Sequence, residues 1–356
     1  MNRSPWSGVR CWRTLGTVLA AALIPSFASA RQDSKFWDNY DFVPGSKVIF
    51  YTDFSEDRVG NFARGLKYKS GSMDVVERDG IKMLRATNRS EFLIPLGRTL
   101  PERFTLELDV IAPSEPIAGY DLVAFEGGPE LDRGDKSAEI NWQVTGATII
   151  SSATVPGEAR IPEEMQSQLS GQVVHIRVLM DGSYFKLYTN ERRLYNIPVL
   201  PFKRDAVIRV FFKGDEENNR ATYLTSIRVA ESETGVLYDA LTAKGRWATQ
   251  GILFETGQAE LRPESRPVLK EIAATLKQHA DLRVLIEGHT DNVGAATANL
   301  NLSEARAAAV KVALVSDFGI EASRIGTKGF GDTKPAVPNT TASGRAQNRR
   351  VEVVKQ

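Results

Sequence analysis

Apolar and polar residues alternate along much of residues 31–232. The run Phe104–Val110 reads Phe-Thr-Leu-Glu-Leu-Asp-Val, which has the two-residue period of a half-buried strand. Turn-forming pairs such as Asp79-Gly80 and Asp181-Gly182 separate this run from similar ones. The other predicted strands are Val48–Thr52, Lys82–Ala86, Phe92–Leu96, Leu122–Glu126, Glu139–Val144, Val173–Leu179, Tyr184–Thr189, Val207–Phe212 and Tyr223–Val229. Many short strands divided by turns predict an all-β antiparallel sandwich.

The pattern changes after residue 250, where strand-like and helix-like segments follow one another. Leu269, Ile272 and Leu276 keep a helical period behind Pro263, a residue suited to the first position of a helix. A second helix is predicted from Leu302 to Phe318. The predicted strands are Ile252–Phe254, Arg283–Glu287, Ile325–Lys328 and Val351–Val354. This order predicts an α/β domain with a small mixed sheet over residues 251–356. Residues 233–250 form a predicted connector with one or two helical turns.

Residues 1–30 have the pattern of a secretory signal peptide. Arg3, Arg10 and Arg13 precede an apolar core at Leu15–Ile24, and Ala28-Ser29-Ala30 is a small-residue cleavage signal. An apolar core of about ten residues is too short to span a bilayer, which takes roughly twenty. The sequence therefore predicts export and cleavage after Ala30.

Charge and cysteine content exclude several classes of protein. The chain has 45 basic and 44 acidic residues, and removing three arginines with the signal leaves a net charge of −2, so no basic field favours nucleic acid. The one cysteine, Cys11, lies in the signal ahead of its apolar core. The mature chain is therefore expected to have no disulfide, no lipid anchor and no transmembrane helix.

Three motifs follow one another in the last hundred or so residues. They are Gly288-His-Thr-Asp-Asn-Val-Gly294, then Asn299-x-x-Leu302-Ser303-x-x-Arg306-Ala307, then Gly344-Arg-Ala-Gln-Asn-Arg-Arg-Val-Glu-Val353. Together they resemble the OmpA-like peptidoglycan-binding domain of Gram-negative envelopes. The resemblance implies a two-layer βαβαββ domain, a periplasmic location associated with the outer membrane, and peptidoglycan as the partner.

The resemblance also implies a ligand site for the diaminopimelate of the stem peptide, whose side chain ends in a zwitterion. Asp291 is expected to take its ammonium group, and Arg306 to grip its carboxylate with a planar fork that lysine lacks. Thr290 and Asn299 are expected to orient the loop or to donate to the ligand. A helix beginning near Leu302 would add positive potential at the anionic end.

Other residues of the third motif leave two roles open. Arg345, Asn348 and Arg349 either extend the site toward the glycan or tie the last strand to the loop Pro335–Asn339. His289 has no second histidine nearby in sequence, and the chain has three histidines. No metal site and no cofactor are therefore expected.

The sandwich leaves the function of the whole chain open. Residues 45–232 loosely resemble laminin-G and concanavalin-like jelly rolls, on Tyr51–Phe54 and Val174–Gly182. We expect a non-catalytic envelope protein whose sandwich presents a second surface to glycan or to an envelope protein. One alternative is a cell-wall or polysaccharide hydrolase using Glu107 and Asp109, although the third carboxylate of such a strand is missing. Another is an outer-membrane barrel with a periplasmic tether.

Overall fold

The computed structural model describes residues 40–114, 122–129, 137–151, 157–232 and 237–356. All of these residues belong to one compact unit. The predicted signal peptide and the first four residues of the predicted connector lie outside the described residues.

The described residues between 40 and 232 form mainly strands, with one short helix among them, α1 (Glu163–Leu169). The strands are β1 Lys47–Thr52, β2 Lys67–Ser70, β3 Met73–Arg78, β4 Ile81–Ala86, β5 Arg89–Pro95, β6 Arg103–Ile111, β7 Val123–Gly127, β8 Glu139–Gln143, β9 Gly146–Ile150, β10 Ala159–Arg160, β11 Val173–Asp181, β12 Tyr184–Thr189, β13 Arg192–Ile197, β14 Val207–Lys213 and β15 Thr222–Glu231. Each strand named from the alternation pattern is present, which confirms those predictions within one to three residues.

Two antiparallel sheets face each other across one core. One has the order β13-β12-β11-β6-β15-β4-β3, and β1 pairs with the C-terminal half of β15. The other has the order β10-β9-β8-β7-β14-β5-β2. Inward residues of both sheets meet in this core, among them Leu106, Phe125 and Val210. The antiparallel sheets confirm the all-β prediction, whereas the finer jelly-roll assignment stays a prediction.

The strands that the sequence pattern missed lie mostly at the edges of the sheets. β2 is exposed at every position, so no alternation marks it. β10 has two residues, too few to show a period. Alternation predicts a strand only where one face is buried and the other is exposed to solvent.

The outer face of β6 departs from the predicted pattern. Glu107 was expected on the solvent side, but it is 9% exposed because the C-terminal domain packs over this face. Arg228 donates to one carboxylate oxygen of Glu107. Arg262 of the C-terminal domain donates to Nε2 of His175 over 2.6 Å, so Nδ1 of that ring donates to Asp109 over 2.7 Å.

The helices and strands of the C-terminal domain are α2 Leu237–Lys244, β16 Arg246–Thr249, α3 Arg266–Gln278, β17 Val284–Gly288, α4 Ala296–Ser316, β18 Ile325–Gly329, α5 Ala342–Asn348 and β19 Val351–Lys355. The four strands form a mixed sheet with the order β16-β19-β17-β18. β17 and β18 run parallel, and the other neighbours are antiparallel. Ile272, Val310 and Val353 meet in its core.

Three details of the predicted C-terminal domain are wrong. The first strand is Arg246–Thr249, inside the predicted connector, and Ile252–Phe254 forms only an isolated bridge through Phe254. The second helix begins at Ala296, six residues before Leu302. The short helix α5 separates the last two strands, so the order is βαβαβαβ rather than βαβαββ.

Among the described residues, no helix combines the length and apolarity needed to cross a membrane.

Removing the Phe125 side chain should destabilise the sandwich strongly. Phe125 is fully buried on β7, so Phe125→Ala leaves a cavity and should cost about 3–5 kcal/mol of unfolding free energy. Ile150→Ala is the control, because Ile150 is 45% exposed and its loss should cost about 0.5 kcal/mol. Denaturant titration of both variants checks this, and equal costs would contradict the assigned core.

Candidate ligand-binding site

The loop that carries Asp291 begins where β17 ends against α4. A Cβ on Gly288 would lie 2.2 Å from the backbone oxygen of Ser303, so only glycine allows this close approach. The His289 and Thr290 amides donate to the carbonyls of Arg350 and Gly331 over 3.1 and 2.9 Å. The loop is thereby fixed to β19 on one side and to the turn after β18 on the other.

Both oxygens of Asp291 have partners. Oδ1 accepts the amide of Val293 over 3.1 Å, which closes an Asx turn. Oδ2 accepts a hydrogen bond from Nη1 of Arg349 over 2.6 Å. The carboxylate is 12% exposed, so this charge-assisted pair is largely shielded from water.

Arg306 lies about three turns into α4. The predicted helix start beside it is therefore wrong, and the N-terminal dipole lies away from this guanidinium. Its Nε donates to the carbonyl of Gln258 over 2.9 Å, and its charge lies 4.9 Å from the ring centre of Phe254. Within the described part of the chain, no hydrogen bond reaches its two terminal nitrogens. Burial and then repulsion from Arg349 lower the pKa of Arg306, while Asp291 acts in the opposite sense.

The other two predicted site residues belong to the same loop. Nδ2 of Asn299 donates to the carbonyls of Asp291 and Val293 over 3.2 and 3.1 Å, so Asn299 braces the loop from within α4. The hydroxyl of Thr290 is buried and has no hydrogen-bond partner among the described residues. A role for either residue in ligand binding stays a prediction.

The residues of the third motif have different contacts. Asn348 is fully buried, and its Oδ1 accepts the amides of Ala336 and Val337. Its Nδ2 donates to the Val337 carbonyl over 2.8 Å. Asn348 therefore ties the chain before β19 to the loop Pro335–Asn339, one of the two roles left open by the sequence.

Arg345 and Arg349 both contact the sandwich. Arg345 pairs with Glu56 and donates to the Asn339 carbonyl. Arg349, besides pairing with Asp291, donates from Nη2 to the hydroxyl of Tyr51 over 3.2 Å. Sequence reasoning missed Tyr51 and the Arg349–Asp291 pair, because contacts between residues far apart in the chain leave no local pattern.

A cavity of about 500 Å³ lies at this junction. The sandwich contributes one wall and the C-terminal domain the other. Its lining includes Tyr51, Asp53, Glu107, Arg228, Phe254, Arg306 and Arg349. The cavity therefore presents arginines of the C-terminal domain, among them Arg306 and Arg349, opposite Tyr51 and two carboxylates of the sandwich.

One buried cluster has the donor types of a metal site. Atoms of Glu287, His289 and Glu352 lie within 4.8 Å of one another. Arg350 donates to Oε1 of Glu352 over 2.7 Å, and Arg246 donates to Oε2 over 2.8 Å. Because arginines engage both oxygens of Glu352, the cluster is better described as a buried ion network. The expected absence of a metal stays a prediction.

Replacing Asn348 should destabilise the C-terminal domain. Asn348→Ala leaves two backbone amides and a carbonyl without partners, at a cost of about 2–4 kcal/mol. Asn218→Ala is the matched control, since Asn218 lies in an exposed turn. Equal unfolding free energies for the two variants would show that Asn348 does not hold the loop.

The stability of the protein should fall as the pH drops from 6.5 toward 4. Burial and then Arg350 lower the pKa of His289 from 6.5 to about 4. The unfolded chain therefore takes up this proton first, so acid favours unfolding throughout that window. His289→Gln should remove about 1–3 kcal/mol of the loss between pH 7 and pH 4.5, measured by urea titration. Parallel pH profiles for wild type and variant would contradict this account.

Comparison with known proteins places the C-terminal region in a family. The profile of the OmpA family matches residues 253–349. Outer membrane porin F of Pseudomonas aeruginosa is 40% identical over 101 residues, which are 28% of this chain and 29% of porin F. This chain therefore spans under a third of that relative.

Two solved structures are similar to part of this chain. The cell wall anchor of the T6SS from Pseudomonas aeruginosa is 34% identical, with 34% of this chain and 95% of that chain covered and a TM-score of 0.29. The peptidoglycan-associated lipoprotein from Burkholderia pseudomallei is 31% identical, with 30% and 88% covered and a TM-score of 0.28. By the match to the family profile, residues 253–349 of this chain form a domain of the OmpA family.

Proposed function

We propose that this protein binds peptidoglycan noncovalently, through the diaminopimelate of the stem peptide, and acts in the cell envelope without catalysing a reaction. The observation that carries the proposal is the joint placement of Asp291, Arg306 and Arg349. One carboxylate and two guanidinium groups lie within electrostatic reach of one another beside the cavity. This charge pattern is complementary to a zwitterion.

The chemistry of each group suits one end of the diaminopimelate side chain. The ammonium needs an anion in a place poor in water, and Asp291 is largely buried. The carboxylate needs a planar fork, and Arg306 has its Nε engaged by Gln258 while both terminal nitrogens point to no described partner. Arg306 is thereby pre-oriented by the protein and still able to bind a second group.

The names of two relatives support the same ligand class. The Burkholderia protein is called a peptidoglycan-associated lipoprotein, and the Pseudomonas structure is described as a cell wall anchor. We extend the location implied by porin F, the outer membrane region of the envelope, to this chain.

The sandwich is proposed to present a second surface of jelly-roll type to glycan or to an envelope protein. Contacts of Glu107 and Asp109 argue against the hydrolase alternative. Glu107 is paired with Arg228, and Asp109 with Arg177 over 2.7 Å. Burial acts to raise the pKa of Asp109, but Arg177 and His175 outweigh it and hold that pKa well below its usual range. A general acid needs a raised pKa instead.

Neutralising Asp291 should abolish binding to peptidoglycan. Asp291→Asn keeps the acceptor of the Val293 amide, so the Asx turn is retained, while the charge and the acceptor for Arg349 are lost. An ammonium left without its anion costs about 2–5 kcal/mol, enough to remove micromolar binding. Sedimentation of the full chain with insoluble diaminopimelate-type peptidoglycan measures this. Asp281→Asn, an exposed acid of the same domain, is the control and should pellet like wild type.

Replacing the planar guanidinium of Arg306 with the ammonium of lysine should weaken binding, although the positive charge is kept. Arg306→Lys loses the bidentate grip, so we expect about tenfold weaker binding in the same assay. Arg283→Lys makes the same exchange at an exposed position and should have no effect. A wild-type chain that stays in the supernatant, or an Arg306→Lys variant that pellets like wild type, would contradict the proposed site.

A further inference from the structure

We infer that the ligand site is shared between the two domains, and that Asp53 of the sandwich is its second acid, contacting the ammonium group of the bound zwitterion. This inference rests on the proposed function. It adds a binding residue that lies outside the region matched by the OmpA family, which begins at residue 253.

A continuous chain of hydrogen bonds connects Asp53 to the site. The Tyr51 hydroxyl donates to Oδ2 of Asp53 over 3.3 Å and accepts from Nη2 of Arg349 over 3.2 Å. Arg349 donates from Nη1 to Asp291 over 2.6 Å. The guanidinium of Arg349 also lies 5.5 Å from the centre of the Tyr51 ring. The sandwich is therefore in direct contact with the group that holds Asp291.

The acids at the cavity differ in whether they line it and in whether they are already paired with an arginine. Asp53 and Glu107 line the cavity, whereas Asp291 is not a lining residue and is paired with Arg349, which is one. Glu107 is already paired with Arg228. Within the residues that the structure describes, Asp53 has no ion pair closer than 4.0 Å, and its hydrogen-bond partners are Tyr51 and Ser55. Asp53 is thus the acid of the lining that retains an unpaired charge.

The balance of charge explains why a second acid is useful there. Arg306 and Arg349 repel each other. Burial lowers the pKa of Arg306 most, and the repulsion from Arg349 lowers it further. Asp291 alone faces both guanidinium groups. A zwitterionic ligand can place its carboxylate between the two arginines and its ammonium toward Asp53 and Asp291. The carboxylate then meets two arginines of the C-terminal domain, and the ammonium meets one acid from each domain, so no charge is left unpaired in a confined cavity.

The test combines a change in the protein with a change in the ligand. The probe is the synthetic tripeptide L-alanyl-γ-D-glutamyl-meso-diaminopimelate, titrated into the full chain by calorimetry. The second probe is the same tripeptide with the side-chain ammonium replaced by hydrogen. Asp53→Asn keeps the acceptor for the Ser55 amide, so the turn is retained and the charge is lost. We expect about tenfold weaker binding of the first probe and unchanged binding of the second.

Matched controls separate this inference from the proposed function. Asp79→Asn, in an exposed turn where asparagine adopts the same positive φ, should bind both probes like wild type. If wild type binds the first probe and Asp53→Asn binds it equally well, Asp53 is not part of the site, and the proposed function stands. Equal loss for both probes would likewise overturn a contact with the ammonium. If wild type binds neither probe, both proposals fail.

Discussion

The guanidinium of Arg349 joins the ligand loop to the rest of the molecule. It holds Asp291 of the loop and the Tyr51 hydroxyl of the sandwich at the same time. Burial acts to lower the pKa of Arg349, but Tyr51 and Asp291 outweigh it and raise that pKa. The charge is therefore permanent and requires an anion. Because Asp291 supplies it, the position of the loop, the closure of the cavity and the contact between domains depend on one group.

The same principle governs the wider contact between the domains. The outer face of β6 and β11 carries charged side chains where a free sandwich would meet water. In this protein Glu107, Arg177 and Arg228 are buried there and paired with one another. Arg262 of the C-terminal domain enters this network through His175. Pairing buried charges offsets a large desolvation cost without adding much net stability, and its directional bonds fix one relative placement of the packed surfaces. A cavity with walls from both domains needs such a fixed placement.

The sequence predicts what local periodicity can encode. Val284–Gly288 and Val351–Lys355 were predicted within one or two residues because their apolar alternation arises from the sheet itself. Arg246–Thr249 was missed because this edge strand carries little alternation. The site motifs drew attention to Asp291, Arg306 and Asn299, which the fold brings to one loop and one helix.

The remaining contacts depend on pairs that are distant in the chain. Tyr51 and Arg349 are 298 positions apart, and neither has a neighbour in sequence that signals the other. The alternation around Glu107 predicts a solvent-facing side chain, and only the docked domain reverses this. Alternation of apolar and polar residues shows that a strand has two different faces, but it does not show whether solvent or another domain covers the polar face. The composite character of the cavity is therefore visible only in the folded molecule.

The central claim is that this chain recognises both charges of the diaminopimelate side chain. Stem peptides with lysine at the same position keep the ammonium and lack the carboxylate, so they separate the two charges without changing the protein. The most direct measurement is sedimentation of the wild-type chain with insoluble peptidoglycan of the diaminopimelate type and of the lysine type, side by side. The account predicts pelleting with the first and retention in the supernatant with the second. Equal pelleting with both would contradict it.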